Sequence, residues 1–159
     1  MDLKNRRRIA IFGAGICDEE IYNLAYEVGK LLAPKAIVYT GGLGGVMEAA
    51  SRGAFEAGGI TVGILPGNRA EDANPYVLVP VVTDIGHARN VVLVRTAEAA
   101  IAISGGYGTL SEIALALKTW KPVIGLRTWA GIDGVTYVDT PEEAVAKVFE
   151  ALAAKREEL

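Results

Sequence analysis

A glycine-rich stretch with one carboxylate, S-G-G-Y-G-T-L-S-E from Ser104 to Glu112, carries residue types suited to holding an anion. It stands between an apolar run typical of a buried strand and a run with helical spacing. Glycine lets backbone N–H groups approach a ligand closely, and the first turn of a helix has N–H groups without intrahelical partners. The stretch therefore predicts a phosphate or oxyanion site, where Glu112 either complements the helix dipole or acts on the bound ligand.

Two further glycine-rich turns also follow strand-like runs, G-A-G-I-C-D from Gly13 and T-G-G-L-G-G from Thr40. One such turn needs only a steric explanation, but three at the carboxyl ends of parallel strands predict a ligand crevice. The candidate phosphate- and ligand-binding residues in these turns are Gly13, Gly15, Gly41, Gly42, Gly45, Gly105, Gly106, Gly108 and Thr109.

The turns do not match the best-known nucleotide fingerprints. Asp18 and Ser111 take the last position of the two G-x-G-x-x-G candidates, and Thr40 ends the second strand where an acid would hold a ribose hydroxyl. No G-x-x-x-x-G-K-[ST] is present. These departures argue against a nicotinamide-dependent dehydrogenase and against a P-loop enzyme.

Strand-like and helix-like runs alternate along the whole chain. Strands are predicted at 8–13, 36–40, 60–66, 77–83, 99–104, 122–126 and 135–139. Helices are predicted at 18–33, 46–58, 84–97, 109–120 and 140–158, with a loop at 67–77. Pro80 favours an edge position or a short length for the fourth strand. This order predicts one domain, residues 1–159, of the α/β class: a Rossmann-like, doubly wound, mainly parallel sheet with helices on both faces.

Composition narrows the class of protein. The 159 residues carry a net charge of −3, which gives no reason to expect nucleic acid, and the basic run from Lys4 to Arg8 is interpreted as a solvated segment. Cys17 is the single cysteine; it follows a glycine turn where a helix N-terminus can lower the pKa of a thiol, but a reactive role is not the favoured interpretation. No leader or membrane span is evident, so we expect a cytoplasmic protein that does not contact membranes.

Three motifs in this order, T-G-G-L-G-G-V-M-E-A-A-S-R-G-A, G-H-A-R-N and S-G-G-Y-G-T-L-S-E, resemble those of the LOG-like proteins. This Rossmann-like superfamily, often labelled "possible lysine decarboxylase", includes the molybdenum cofactor carrier proteins. The resemblance runs from Ile9 to about Trp129 and points to a short, uncharacterised branch near those carriers.

In LOG enzymes, P-G-G-x-G-T-x-x-E and H-E-R-K accompany cleavage of a nucleoside 5′-monophosphate into free base and ribose 5-phosphate. The resemblance implies that the glycine turn holds the phosphate and that Glu112 and Arg89 are the catalytic candidates. Three positions depart from the pattern. Ser104 replaces the proline, and Ala88 and Asn90 replace the glutamate and lysine. Asn90 is kept as a ligand-contacting candidate that offers only neutral hydrogen bonds.

Two functions follow from this comparison. The first is a binding or carrier protein for a phosphorylated nucleotide or a pterin-type phosphate; the alternative is a phosphoribohydrolase, so enzymatic activity stays open. A purely structural role is the remaining possibility. No lysine is placed in a motif for a Schiff base, which argues against a decarboxylase. No metal or obligatory cofactor is expected, and the family resemblance implies a homo-oligomer, a dimer or tetramer.

Overall fold

A computed structural model describes residues 3–157 of the chain. Its strands are β1 (Arg7–Gly13), β2 (Ala36–Thr40), β3 (Ile60–Leu65), β4 (Val79–Val82), β5 (Ala99–Ile103), β6 (Val123–Leu126) and β7 (Val135–Val138). Its α-helices are α1 (Glu19–Leu32), α2 (Val46–Glu56), α3 (Arg89–Thr96), α4 (Tyr107–Lys118) and α5 (Pro141–Glu157). Short 3₁₀ turns cover Leu3–Asn5, Ala70–Asp72 and Gly86–Ala88.

The strands form one parallel sheet with the order β4-β3-β2-β1-β5-β6-β7. β1 lies at the centre and pairs in parallel with both β2 and β5. The chain builds outwards from β1 to β4 and then returns to β5, so the order reverses between β1 and β5. This reversal is the topological switch point at which doubly wound folds bind ligands, and the predicted fold class is confirmed.

Helices cover both faces of the sheet, as predicted. One face packs under α1, α2 and α5, with Val28, Ala50 and Val148 fully buried. The other face packs under α3 and α4, with Leu93 and Ile113 fully buried. The central strand alternates between the two cores, so β1 is buried on both sides as continuous apolar strands of parallel sheets are.

The element boundaries differ from the predictions at three places. Pro80 lies in a strand that is both short and at the edge of the sheet, and its bounds are Val79–Val82 where 77–83 was predicted. The helix predicted from residue 84 begins with a 3₁₀ turn and becomes α-helical only at Arg89. The α4 helix begins at Tyr107, so Glu112 lies in its second turn and not in its first.

The ends of the other helices follow their capping residues. Asp18 accepts a hydrogen bond from Ile21 N at 2.9 Å and caps α1. Thr140 accepts one from Glu143 N at 3.1 Å before α5, as its position ahead of Pro141 predicts. The last residue of the predicted final helix, Glu158, lies outside the described residues. Within residues 3–157 we find no helix long and apolar enough to cross a membrane.

Candidate functional site

The three glycine-rich turns meet at the carboxyl edge of the sheet, beside the switch point. The turn after β1 is bonded to the turn after β2, since Val46 N donates to Ala14 O at 2.9 Å. The turn after β5 leads into α4, and the start of α3 reaches over the end of β2. We call this region, formed by residues 13–18, 40–46, 89–90 and 104–112, the carboxyl-edge crevice.

Arg89 and Glu112 lie side by side at the base of the crevice. The Arg89 Nη1 and Glu112 Oε2 atoms are 4.0 Å apart, and only 11% and 8% of the two side chains are exposed. Arg89 comes from the first residue of α3 and Glu112 from the second turn of α4, so the pair joins two helices of one face. The structure thus brings together the two residues that the sequence singles out as catalytic candidates.

The Arg89 guanidinium also rests on the backbone of Gly41. A Cβ atom at position 41 would lie 2.5 Å from Arg89 Nη1 and 2.8 Å from its Cζ. Any side chain there would displace the guanidinium, because such distances are shorter than contact allows. Gly41 is therefore the residue that lets the turn after β2 contact Arg89.

Asn90 fixes Arg89 relative to α4. Arg89 Nη1 donates to Asn90 Oδ1 at 2.8 Å, and Asn90 Nδ2 donates to Ser111 Oγ at 3.1 Å. Ser111 in turn donates to Gly108 O at 2.7 Å. Asn90 is 7% exposed, so its amide acts in this structure as a buried link between Arg89 and the first turn of α4.

Burial dominates the electrostatics of the pair. Burial raises the pKa of Glu112 to about 8, although the neighbouring Arg89 charge acts to lower it. Burial also lowers the pKa of Arg89, while Glu112 acts to raise it; an arginine still keeps its charge near neutral pH. Within the described residues, Arg89 Nε is a buried donor without a hydrogen-bond partner. The crevice therefore holds a cation whose carboxyl neighbour is largely protonated at pH 7.

The candidate glycines divide into two groups. Four of them must be glycine because of close packing or backbone conformation within the protein itself. Gly42, Gly45 and Gly105 have φ of +80°, +61° and +106°, and a Cβ at Gly13 would lie 2.3 Å from Val46 Cγ1. By contrast, a Cβ at Gly106 or Gly108 would meet nothing within 4 Å, and one at Gly15 only Met47 Cε at 3.8 Å. Room next to the backbone is thus found at Gly106 and Gly108, at the start of α4.

The N-terminus of α4 carries no side-chain cap. Gly106 is its N-cap residue, and its first turn contains no acidic residue. The N–H groups of that turn therefore face the open side of Gly106 and Gly108 with the positive end of the helix dipole. Thr109, the other predicted phosphate contact, is 3% exposed and its Oγ1 lies against Gly105.

Several residues outside the list of candidate ligand contacts also shape the crevice. Trp129 Nε1 donates to Gly106 O at 2.9 Å, and its ring lies 5.8 Å from that of Tyr107, whose side chain is exposed. Asn74 Nδ2 donates to Leu43 O at 2.9 Å and Thr40 Oγ1 accepts from Gly42 N at 3.0 Å, so both support the turn after β2. A polar residue at a strand end, such as Thr40, was the available signal; Trp129 gave none.

Three other residues have defined surroundings. Tyr76 packs against Phe55 with ring centroids 6.0 Å apart. Burial and the charges of Asp18 and Glu48 raise the pKa of Cys17, which is opposite to the effect of a helix N-terminus. His87 is exposed in the 3₁₀ turn before α3.

Fold and site together define a Rossmann-like α/β protein with a crevice at its switch point that is suited to an anion. A model of the SLOG cluster4 family matches residues 6–156, nearly the whole chain. The chain therefore belongs to the SLOG cluster4 family, and the LOG-like relationship predicted from the motifs is confirmed.

The chain is similar in sequence to one uncharacterised protein and to a longer, named enzyme. The chain is 49% identical over 139 residues to an uncharacterised protein of Archaeoglobus fulgidus, covering 87% of this chain and 91% of that one. It is 33% identical to the cytokinin riboside 5′-monophosphate phosphoribohydrolase LOG of Oryza sativa subsp. japonica. That alignment covers 83% of this chain but only 58% of the rice protein.

The chain is also similar to a solved structure of about its own length. The molybdenum cofactor binding protein of Rippkaea orientalis superposes with a TM-score of 0.87 and 34% identity. The match covers 92% of this chain and 98% of that protein. The chain is thus similar over nearly its whole length to a cofactor-binding protein and over part of the longer enzyme to a nucleotide hydrolase.

Proposed function

We propose that this protein binds a small phosphorylated ligand, a nucleoside monophosphate or a pterin-type phosphate, in the carboxyl-edge crevice. The observation that carries the proposal is the buried pair of Arg89 and Glu112 directly behind an uncapped helix N-terminus. Its relatives support the ligand class, since one is named for binding the molybdenum cofactor and another for hydrolysing a nucleoside monophosphate.

Each group in the crevice has a distinct part in this proposal. The N–H groups of the first turn of α4 donate hydrogen bonds to the phosphate oxygens, and Gly106 and Gly108 leave that stretch of backbone uncovered. Arg89 supplies the positive charge and an unused Nε–H donor. Glu112, protonated at neutral pH because of its burial, donates a hydrogen bond to the ligand and does not repel it.

A steric block of the cradle tests binding directly. Calorimetry with AMP, CMP, GMP and a phosphorylated pterin should detect at least one ligand for the wild-type chain. Gly106→Val puts a side chain into the open space beside α4 and should weaken that binding by at least about tenfold. The control is Ala114→Val, which places the same valine side chain at an exposed position within α4.

Two results would overturn the proposal. One is an absence of heat with every ligand while the protein is folded by circular dichroism. The other is equal weakening by Gly106→Val and Ala114→Val, because the effect would then come from the helix and not from the cradle.

The alternative function is hydrolysis of the N-glycosidic bond of a nucleoside 5′-monophosphate. It is favoured by the 4.0 Å separation of Arg89 and Glu112, which places a carboxyl group beside the cation expected to hold phosphate or ribose. An oxocarbenium-like transition state needs the ionised carboxylate. Activity should therefore rise with pH toward and above 8, the pKa that burial gives Glu112.

Base release measured by chromatography distinguishes the two functions. Incubation with nucleoside monophosphates at pH 7 and pH 9 should release free base if the protein is a hydrolase, and Glu112→Gln should abolish that release. Binding without release at either pH supports the carrier role.

One backbone feature favours the carrier role over the enzyme. Ser104 has a φ of +56°, whereas a proline ring fixes φ near −65°. The turn after β5 therefore takes a conformation that the P-G-G-x-G-T motif of the enzymes excludes at this position. Ser104 N also donates to Arg127 O at 3.0 Å, a bond that proline lacks the hydrogen to make.

We further propose that the protein forms a homo-oligomer. The edge strand β4 and the adjoining start of α3 expose the apolar side chains of Leu78, Val79, Val82, Ile85 and Val91. An edge strand with exposed apolar side chains is commonly covered by a partner. Light scattering coupled to gel filtration tests this, and a monomer at micromolar concentration would contradict it.

A further inference from the structure

A second charged region lies at the opposite edge of the sheet, where the strands begin. It is a cavity of about 570 Å³. Six cationic side chains line it: Lys4, Arg6, Arg7, Arg8, Lys121 and Lys155. One carboxylate, Glu98, is found among the described lining residues. We call this region the amino-edge cavity, and it includes the basic run that the sequence suggested to be a solvated segment.

The parallel register of the sheet assembles the amino-edge cavity. Ile9 of β1 pairs with Ala99 of β5, so the residue before each comes into contact. Arg8 N donates to Glu98 Oε2 at 2.8 Å, and Arg7 Nη1 lies 2.8 Å from Glu98 Oε1. Lys121 stands just before β6, next to β5 in the sheet.

Part of this positive charge is already balanced by helix ends. Arg6 Nη1 donates to Ala33 O at 2.6 Å, Arg8 Nε to Thr96 O at 2.9 Å, and Lys155 Nζ to Trp120 O at 2.8 Å. These carbonyls lie at the carboxyl ends of α1, α3 and α4. Each helix end is equivalent to roughly half a negative charge.

The net charge of the described side chains that line the cavity remains positive. With Lys4 left out of the sum, the other five cations face one carboxylate and three helix ends, which leaves an excess of roughly two to three positive charges. The cations also act on one another. Burial lowers the pKa of Lys121, and the charges of Lys155 and Arg8 lower it further, as expected where like charges are crowded.

We propose that the amino-edge cavity binds a compact polyanion that carries two or more phosphate groups. A single phosphate would offset only part of the excess charge, whereas a diphosphate or triphosphate matches it. Arginine side chains suit such a ligand because each presents paired N–H donors to phosphate oxygens. Extended nucleic acid fits less well, since the cationic groups surround one bounded cavity and the chain as a whole is acidic.

This site is separate from the carboxyl-edge crevice. The two lie at opposite ends of β1, which begins at Arg7 and ends at Gly13. A strand of that length spans roughly 20 Å. A ligand in the cavity therefore contacts neither Arg89 nor Glu112, and either proposal can fail without the other.

The test uses inorganic pyrophosphate as the probe and the full chain as the protein. Amide chemical shifts in ¹⁵N–¹H spectra locate the response, which should include Arg7, Arg8 and Glu98. Replacing two cations together, Lys121→Gln with Lys155→Gln, should raise the Kd read from these shifts by at least about tenfold. Lys147→Gln, an exposed lysine of α5 outside the cavity, is the matched control and should leave that Kd unchanged.

A variant that is expected to bind more tightly distinguishes a binding effect from misfolding. Glu98→Gln removes the carboxylate of the cavity and should tighten pyrophosphate binding severalfold, an outcome that loss of structure cannot imitate. The proposal is overturned by shifts confined to residues 106–109, by equal weakening in the double variant and Lys147→Gln, or by a folded Glu98→Gln that binds no more tightly than wild type.

Discussion

The two edges of this sheet differ in the number of their charged side chains and in how deeply these are buried. At the carboxyl edge, one buried arginine lies beside one buried carboxyl group, with glycine backbone around them. At the amino edge, six cations surround a wide cavity and several are largely exposed. Burial makes a single charge effective because water does not screen it, whereas an exposed site needs several charges for a comparable attraction. The comparison predicts that the carboxyl edge is sensitive to shape and pH and the amino edge to ionic strength.

Among single substitutions, the largest loss of stability is expected from Ser104→Pro, at the carboxyl edge. Proline cannot adopt the φ of +56° at this position and cannot donate to Arg127 O. We expect the free energy of unfolding to fall by about 3 kcal/mol or more. Urea denaturation measures this, and Arg8→Gln at the amino edge should cost less than about 1 kcal/mol. Equal losses at the two positions would remove the contrast in rigidity.

The next effect is on the pH dependence of stability. The pKa of Glu112 is about 8 in the folded protein, above the value of 4.5 for an unperturbed glutamate. The folded state therefore holds a proton that the unfolded state releases, so stability falls as pH rises from about 4.5 to 8 and then levels off. The loss is on the order of 5 kcal/mol, since one pKa unit corresponds to about 1.4 kcal/mol.

Glu112→Gln should remove most of that dependence. The variant keeps the shape of the side chain but has no proton to lose, so it should be more stable than wild type at pH 9 and similar to it at pH 5. Thermal unfolding across this range measures the difference, with the exposed Glu150→Gln as control. Parallel curves for wild type and Glu112→Gln would contradict the assignment of a protonated, buried carboxyl group.

A smaller effect is expected on ligand affinity from Arg89→Gln. The substitution removes the buried charge of the crevice, and the loss of one charge-assisted contact should weaken nucleotide binding by roughly 10- to 100-fold. Arg89→Lys should recover part of the affinity because it restores the charge without the planar donors. Calorimetry measures both, and pyrophosphate binding in the amino-edge cavity should not change in either variant.

The smallest expected effect is a difference between the two edges in how ligand affinity depends on salt concentration. Raising the ionic strength from about 0.05 M to 0.5 M shortens the screening length to a few ångströms. Pyrophosphate affinity at the amino edge should then fall by about tenfold, whereas nucleotide affinity at the carboxyl edge should change by less than about threefold. The amides of Arg7 and Thr109 report the two sites in one titration. Equal salt dependence would mean that the crevice is more hydrated than its burial indicates.

The sequence predicted the fold well because the evidence was local. Apolar strands, helical spacing and turn residues such as Asp18 and Thr140 each act within a few positions, and they placed most elements within two residues. The family motifs also led to Arg89 and Glu112. Their proximity could not be derived from spacing alone, because it depends on how α3 and α4 pack on one face of the sheet.

What the sequence could not predict was the environment of these residues. The same glycine motif contains Gly105, required by its backbone conformation, and Gly106, which faces open space. Nothing in residue type distinguishes them. The raised pKa of Glu112 depends on burial by several elements at once. The basic run from Lys4 to Arg8 lines a cavity only because β1 pairs with β5.

The hydrogen bond from Trp129 Nε1 to Gly106 O has a practical consequence. It holds an indole ring against Gly106, the N-cap residue of α4, so the proposed ligand site carries its own fluorescent reporter. Trp120, the second tryptophan of the chain, is 84% exposed and contributes a solvent-like background. Trp120→Phe leaves a protein whose remaining tryptophan emission follows occupancy of the crevice, without any added label.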